Sequence, residues 1–131
     1  MERGDFWMPY YACLRANSSF KRVFTIVATA FGNIHIEEHQ RRDGSFLGIV
    51  VGQDFLRRSK EFIGTLLLLE DMGEKTLIKF IALGGIMLGK DSTFLKNCEE
   101  QLSDLIKTLS KEGIGVEVLE RNPHFFREYG D

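Results

Sequence analysis

Along this chain the spacing of apolar positions shifts from a helical period to a two-residue period and back again. Tyr10 to Arg15 has the composition of a short strand, bounded by Pro9 and by Asn17-Ser18-Ser19, whose side chains suit a helix N-cap. From Phe20 onward Val23, Phe24, Val27 and Phe31 share one helical face, with Gly32-Asn33 as the stop. The same apolar, β-branched stretch also fits a buried strand, and period alone leaves residues 20–31 open between the two. Four strands then follow one another: Ile34–Gln40, Phe46–Val51, Phe62–Glu70 and Thr76–Leu83. Asp43-Gly44 predicts a two-residue type I′ turn between the first two, because both of its residues tolerate positive φ. Met72-Gly73 or Gly73-Glu74 joins the last two, and Gln53–Glu61 reads as a polar, basic connection. Ser92–Lys111 returns to helical spacing, with Phe94, Leu95, Cys98, Leu102, Leu105, Ile106 and Leu109 in one stripe and Gly113 as its end. Val116–Leu119 leaves room for a last strand.

Pairing residues across the turns divides the four strands into two faces. With Asp43-Gly44 as the loop, Ile36 stands opposite Val51 and Glu37 opposite Val50, and opposed residues share a face. The first hairpin then has an expected core face of Ile34, Ile36, Leu47, Ile49 and Val51, and an open face of His35, Glu37, His39, Arg41, Phe46, Gly48 and Val50. In the second hairpin either turn gives the same division, since the two registers differ by two residues. Ile63, Thr65, Leu67, Leu69, Ile78, Phe80 and Ala82 face the core; Leu66, Leu68, Glu70, Lys75, Leu77, Lys79 and Ile81 face outward. The expected open face therefore carries an apolar patch of Phe46, Val50, Leu66, Leu68, Leu77 and Ile81, beside His35, Glu37, His39 and Lys79. A patch of that kind marks an interaction site or is covered by the chain itself. Three occupants fit: another subunit, the aromatic ends of the chain (Trp7, Tyr10 and Tyr11, or Phe125 and Phe126), and a ligand.

Composition narrows the classes of partner. The 131 residues, 44% hydrophobic, fit a single domain, residues 1–131, with less regular ends at 1–9 and 121–131. Seventeen basic against nineteen acidic residues give a net charge of −2, so no overall field draws in nucleic acid or acidic membranes. The basic stretches Arg41-Arg42 and Arg57-Arg58-Ser59-Lys60 read as solvated loops. Cys13 and Cys98 lack metal or redox spacing and read as core thiols of a reducing compartment. No secretory leader and no membrane span is legible, and the expected location is cytoplasmic.

Candidate chemistry is sparse. His35, Glu37 and His39 alternate on one strand face and are all metal-ligand types, but residues i and i+4 on a strand stand about 13 Å apart, too far to share one ion. His124 has no visible partner. Gly84–Ser92, reading GGIMLGKDS, approaches a phosphate-binding loop, yet Asp91 stands where a hydroxyl should hold Mg²⁺, and a strand-to-helix turn explains the stretch. No catalytic constellation, metal site or cofactor is predicted.

The order strand, helix, four-strand meander, helix over residues 10–112 resembles the TATA-binding-protein-like fold group, which also includes the helix-grip lipid-binding proteins. The resemblance implies that the open sheet face, or the space between sheet and long helix, carries binding. The expected fold is an α+β two-layer sandwich: an antiparallel sheet of four to six strands with two helices on one face. The expected function is a non-catalytic binding or assembly module that pairs as a homodimer through its open face. A carrier of a small apolar or amphipathic ligand, under the long helix or on the open face, is the alternative. Nucleic-acid binding, and an enzyme using His35, Glu37, His39 and Lys79 as acid, base and anchor, rank below both.

Overall fold

Residues 20–31 form a helix. Its buried positions, Phe20, Val23, Phe24 and Val27, keep the helical period, while Lys21, Arg22 and Thr25 between them are exposed; a buried strand would have taken those polar groups inside. The computed structural model describes residues 10–56, 60–84 and 91–121. Its elements are β1 (Tyr10–Ala16), α1 (Phe20–Phe31), β2 (His35–Gln40), β3 (Phe46–Leu56), β4 (Glu61–Asp71), β5 (Thr76–Gly84), α2 (Asp91–Lys111) and β6 (Val116–Arg121). Trp7, Arg57 to Ser59, most of the Gly84–Ser92 loop, His124 and the aromatic tail lie outside the described residues.

The six strands make one antiparallel sheet in the order β2-β3-β4-β5-β1-β6, with both helices on one side. This is the expected α+β sandwich, at the upper end of its strand count. The chain must cross four strand spacings, about 19 Å, to pass from β1 to the edge strand β2. Twelve residues of α1 supply about 18 Å of helix for that crossing. Ser19 takes the N-cap position of α1, but its side chain makes no capping bond. At the end of α2, Gly113 adopts φ 80° and Ile114 N donates back to the Leu109 carbonyl, which reverses the chain into β6.

The core lies between sheet and helices. Val50, Leu67, Leu69, Ile78, Phe80, Ala12 and Leu14 point up from the strands, and Phe20, Val23, Val27, Cys98, Leu102, Leu105 and Leu109 close down from the helices. Tyr10 packs edge-on against Phe80, ring centroids 6.1 Å apart, and its phenol is pushed up by burial.

The first hairpin differs from expectation by one residue. Gly44, at φ 90°, donates to the Arg41 carbonyl, and Arg41 N donates to the Ser45 carbonyl, so the loop is Arg42-Asp43-Gly44 rather than Asp43-Gly44. A three-residue loop ending in a left-handed glycine is the next commonest hairpin connection. Asp43 adds the local reason: its Oδ1 accepts from both the amide and the hydroxyl of Ser45, which also lowers its pKa. Ile36 therefore pairs with Val50, and Glu37 with Ile49. One residue of slip reverses β3 relative to its neighbour. Phe46 and Val50, expected on the open face, lie on the helix side; Leu47, Ile49 and Val51, expected in the core, face outward. Val50 is fully buried, and Phe46 stacks on Phe20 at 5.6 Å beneath the Lys21 ammonium.

Glycine explains why the helix side of β3 looked unfit for a core. Gly48 lies flat beneath Phe20 and Phe24, and at Gly52 an added Cβ would stand 1.9 Å from the Phe31 carbonyl oxygen. Asn33, just past α1, ties the same strand by donating to the Gln53 carbonyl and accepting from the Gln53 amide, both at 2.9 Å. The strand also runs on where a connection was expected: Gln53 to Leu56 pairs with Glu61 to Gly64.

Gly52→Ala is expected to cost about 3 kcal/mol or more, because a helix carbonyl cannot swing aside as a side chain can. Gly64→Ala, whose Cβ would find its nearest neighbour at 3.8 Å, should change stability by less than about 1 kcal/mol. Urea unfolding of both variants checks the contrast, and equal losses would show that the approach of α1 to β3 does not depend on Gly52. The buried Tyr10 hydroxyl has no hydrogen-bond partner among the described residues, so Tyr10→Phe should raise stability by about 1 kcal/mol in the same assay.

Candidate functional site

The corrected register reassembles the open face, and cross-strand pairs read it row by row. At its centre stand Glu37, Ile49, Leu68, Lys79 and Cys13, one from each of β2, β3, β4, β5 and β1. The row on one side is His35, Val51, Leu66, Ile81 and Tyr11; on the other it is His39, Leu47, Glu70, Leu77 and Arg15. Beyond His35's row the apolar character continues through Phe55 and Phe62, whose rings meet at 4.9 Å and are about half exposed. Leu47, Ile49, Val51, Leu66, Leu68, Leu77 and Ile81 are each half-buried, with no helix above them among the described residues.

Charge is distributed around and within this surface. Glu37 sits between two imidazoles, with His35 Nε2 at 3.7 Å and His39 Nε2 at 3.4 Å from its two carboxylate oxygens. Arg41 reaches Glu70 at 3.9 Å, and Arg15 reaches Glu117 at 2.6 Å. Lys79 differs, since no carboxylate stands within ion-pair distance of it among the described residues. It stands between Leu68 and Cys13 in the central row, with its aliphatic stem on apolar neighbours. Among the described residues no group of three His, Cys, Asp or Glu is placed to hold a metal ion, and the His35-Glu37-His39 row lies flat along an edge strand. That flat stripe lacks the convergence an acid, a base and an anchor would need around a substrate. Cys98 is fully buried beneath α2, where desolvation pushes its thiol up and away from the reactive thiolate.

The structure thus brings His35, Glu37, His39, Leu66, Leu68, Leu77, Lys79 and Ile81 together on one surface, and puts Phe46 and Val50 on the other side of the sheet. Leu47, Ile49 and Val51 complete the surface and were missed. Two signals in the chain pointed to them: Asp43 followed two residues later by Ser45, which lengthens the turn, and Gly48 with Gly52, which mark where a helix approaches. No helix among the described residues is long and apolar enough to cross a membrane. No family model, curated protein or solved structure matches the chain.

Tyr11, at the end of the Val51 row, has its phenol pushed up to about 12, by burial first and then by Cys13 and Glu120. The fold therefore favours the neutral phenol over its unfolded value near 10. Its contribution is fully present below about pH 10 and is lost as pH rises toward 12. Stability of the wild type should decline across that window, and Tyr11→Phe should lose part of the decline, as urea midpoints at pH 9, 10.5 and 11.5 would show. Parallel curves would exclude the effect.

Proposed function

We propose that this protein is a non-catalytic assembly module that pairs with a second copy of itself through the open sheet face. The observation that carries the reading is the stretch Glu37-Ile49-Leu68-Lys79 within the central row, with two apolar residues between opposite charges. A two-fold axis running along the strands between β3 and β4 sets Ile49 over the partner's Leu68 and Glu37 opposite the partner's Lys79. The surface is complementary to itself under that operation, which is what an isologous interface requires. Two sheets so stacked lie about 10 Å apart at roughly 30°.

The overlap has the extent of a small specific interface: an axis between β3 and β4 stacks four strands, β2 to β5, about 19 Å across and about 20 to 36 Å long, roughly 600 Å² from each copy. The element order that resembles the TATA-binding-protein-like and helix-grip group agrees with it, since binding by the open face is what that resemblance implies; membership in that group is part of the proposal. A homodimer also accounts for a lysine with no local counter-ion in an apolar row. The space beneath α2 has a polar lining, which does not favour an apolar ligand there.

Size-exclusion chromatography with light scattering is expected to give twice the chain mass at tens of micromolar. Leu68→Lys buries an unpaired charge at the centre of the interface, costing about 3–5 kcal/mol, or roughly two to three and a half decades in dissociation constant. It should yield a monomer whose folding is intact by circular dichroism. Glu37→Lys and Lys79→Glu should each weaken the dimer, and the double exchange should recover it. A wild type that stays monomeric at high micromolar concentration would overturn the reading, as would a double exchange no better than either single change.

A further inference from the structure

On the helix side of the sheet, α1 ends at Phe31 while β3 runs on to Leu56, so the far end of the sheet lies beyond the helix that covers its middle. The inward residues there are small: Gly52, Thr65 and Ala82 form one row across β3, β4 and β5. The row before it, Val50, Leu67 and Phe80, fills its space with apolar side chains. The change from large to small leaves a cleft of about 390 Å³ between the end of α1, the sheet and α2. That volume falls within the range of small-molecule sites.

The lining is polar, and part of it is deeply buried. Thr65, on the floor, is 6% exposed, and its hydroxyl has no hydrogen bond to any described residue. Gln101, 5% exposed, comes down from α2 and donates to Asp54 Oδ2 at 3.3 Å. Asp104, Lys107, Thr108 and Lys111 continue the wall along α2. Neither Lys107 nor Lys111 has a carboxylate within ion-pair distance among the described residues. Ten residues of helix separate Gln101 from Lys111, about 15 Å. Carboxylate lies at the Gln101 end and ammonium groups at the other. The Thr65 hydroxyl and the Gln101 amide thus present hydrogen-bonding groups to the cleft from side chains whose remaining surface is buried and held in place.

We propose that this cleft binds a small zwitterion of amino-acid or dipeptide size. Its ammonium lies toward Asp54 and Asp104, its carboxylate toward Lys107 and Lys111, and its polar middle bonds Thr65 and Gln101. The site lies on the opposite side of the sheet from the proposed dimer surface, so either can fail without the other.

Saturation-transfer NMR of the full chain with free amino acids and glycine-containing dipeptides is the first test, followed by calorimetric titration of whichever bind. At least one is expected to bind the wild type. Lys107→Glu, a change at the exposed rim that should not disturb folding, is expected to weaken it about tenfold. Thr65→Leu, which fills the floor, should abolish binding; if that variant fails to fold, Ala30→Trp at the mouth serves the same purpose. The C-terminal amide of the same ligand, which keeps only the ammonium charge, should bind the wild type weakly. No binding by any member of the set, equal affinity of wild type and Lys107→Glu for the carboxylate form, or an amide that binds as tightly as the acid would overturn the proposal.

Discussion

Where α1 meets β3 there is no room for a side chain: the Phe31 carbonyl oxygen occupies the space a Cβ on Gly52 would need, and the Asn33 side chain bonds both backbone groups of Gln53 immediately beyond. This contact decides which way β3 faces. With Gly52 turned toward the helix, Gly48 and Val50 turn with it, and Ile49 and Val51 must turn away. Register then carries the choice across the sheet, because Val50 pairs with Leu67, Leu67 with Phe80 and Phe80 with Ala12. The buried core, the apolar open face and the cleft at the end of α1 are three consequences of one close approach.

The second hairpin and α2 were legible in the chain for a shared reason: their apolar positions are real side chains in a regular period. Leu67, Leu69, Ile78 and Phe80 alternate, and both candidate turns keep the same parity; the turn adopted, with Met72 N donating to the Lys75 carbonyl, is one of the two. Leu102, Leu105 and Leu109 keep the helical period along α2 and are buried. The first hairpin failed the same logic because its inward positions include Gly48 and Gly52, where packing is achieved by the absence of a side chain. Hydrophobicity then nominated Leu47, Ile49 and Val51 as the core, and the Asp43-Gly44 turn, one residue too short, agreed. The extension of β3 through Gln53 and Asp54 was hidden because its inward carboxylate is matched by Gln101, 47 residues further along the chain.

The open face keeps its outline through this correction and changes its membership. Leu66, Leu68, Leu77, Lys79 and Ile81 come from the strands whose parity the chain determined, and His35, Glu37 and His39 from a strand whose alternation is unambiguous. Only the residues of β3 exchange sides. The exchange makes the surface more apolar at its centre, replacing Phe46, Gly48 and Val50 by Leu47, Ile49 and Val51 between β2 and β4.

Lys79 gives that surface its directional character. In a monomer its ammonium can reach water over the apolar stem, at little cost. Between two sheets it would be desolvated, and a buried cation without a partner costs several kcal/mol, enough to defeat a patch of a few leucines. The same penalty makes most overlays of two apolar sheets unfavourable and spares those that bring a carboxylate to Lys79. In the proposed dimer Glu37, in the same row and flanked by His35 and His39, would do so from the second copy. A lysine in an apolar row thus lowers the affinity available to indiscriminate stacking and favours overlays in which burial and charge agree, as in the proposed dimer.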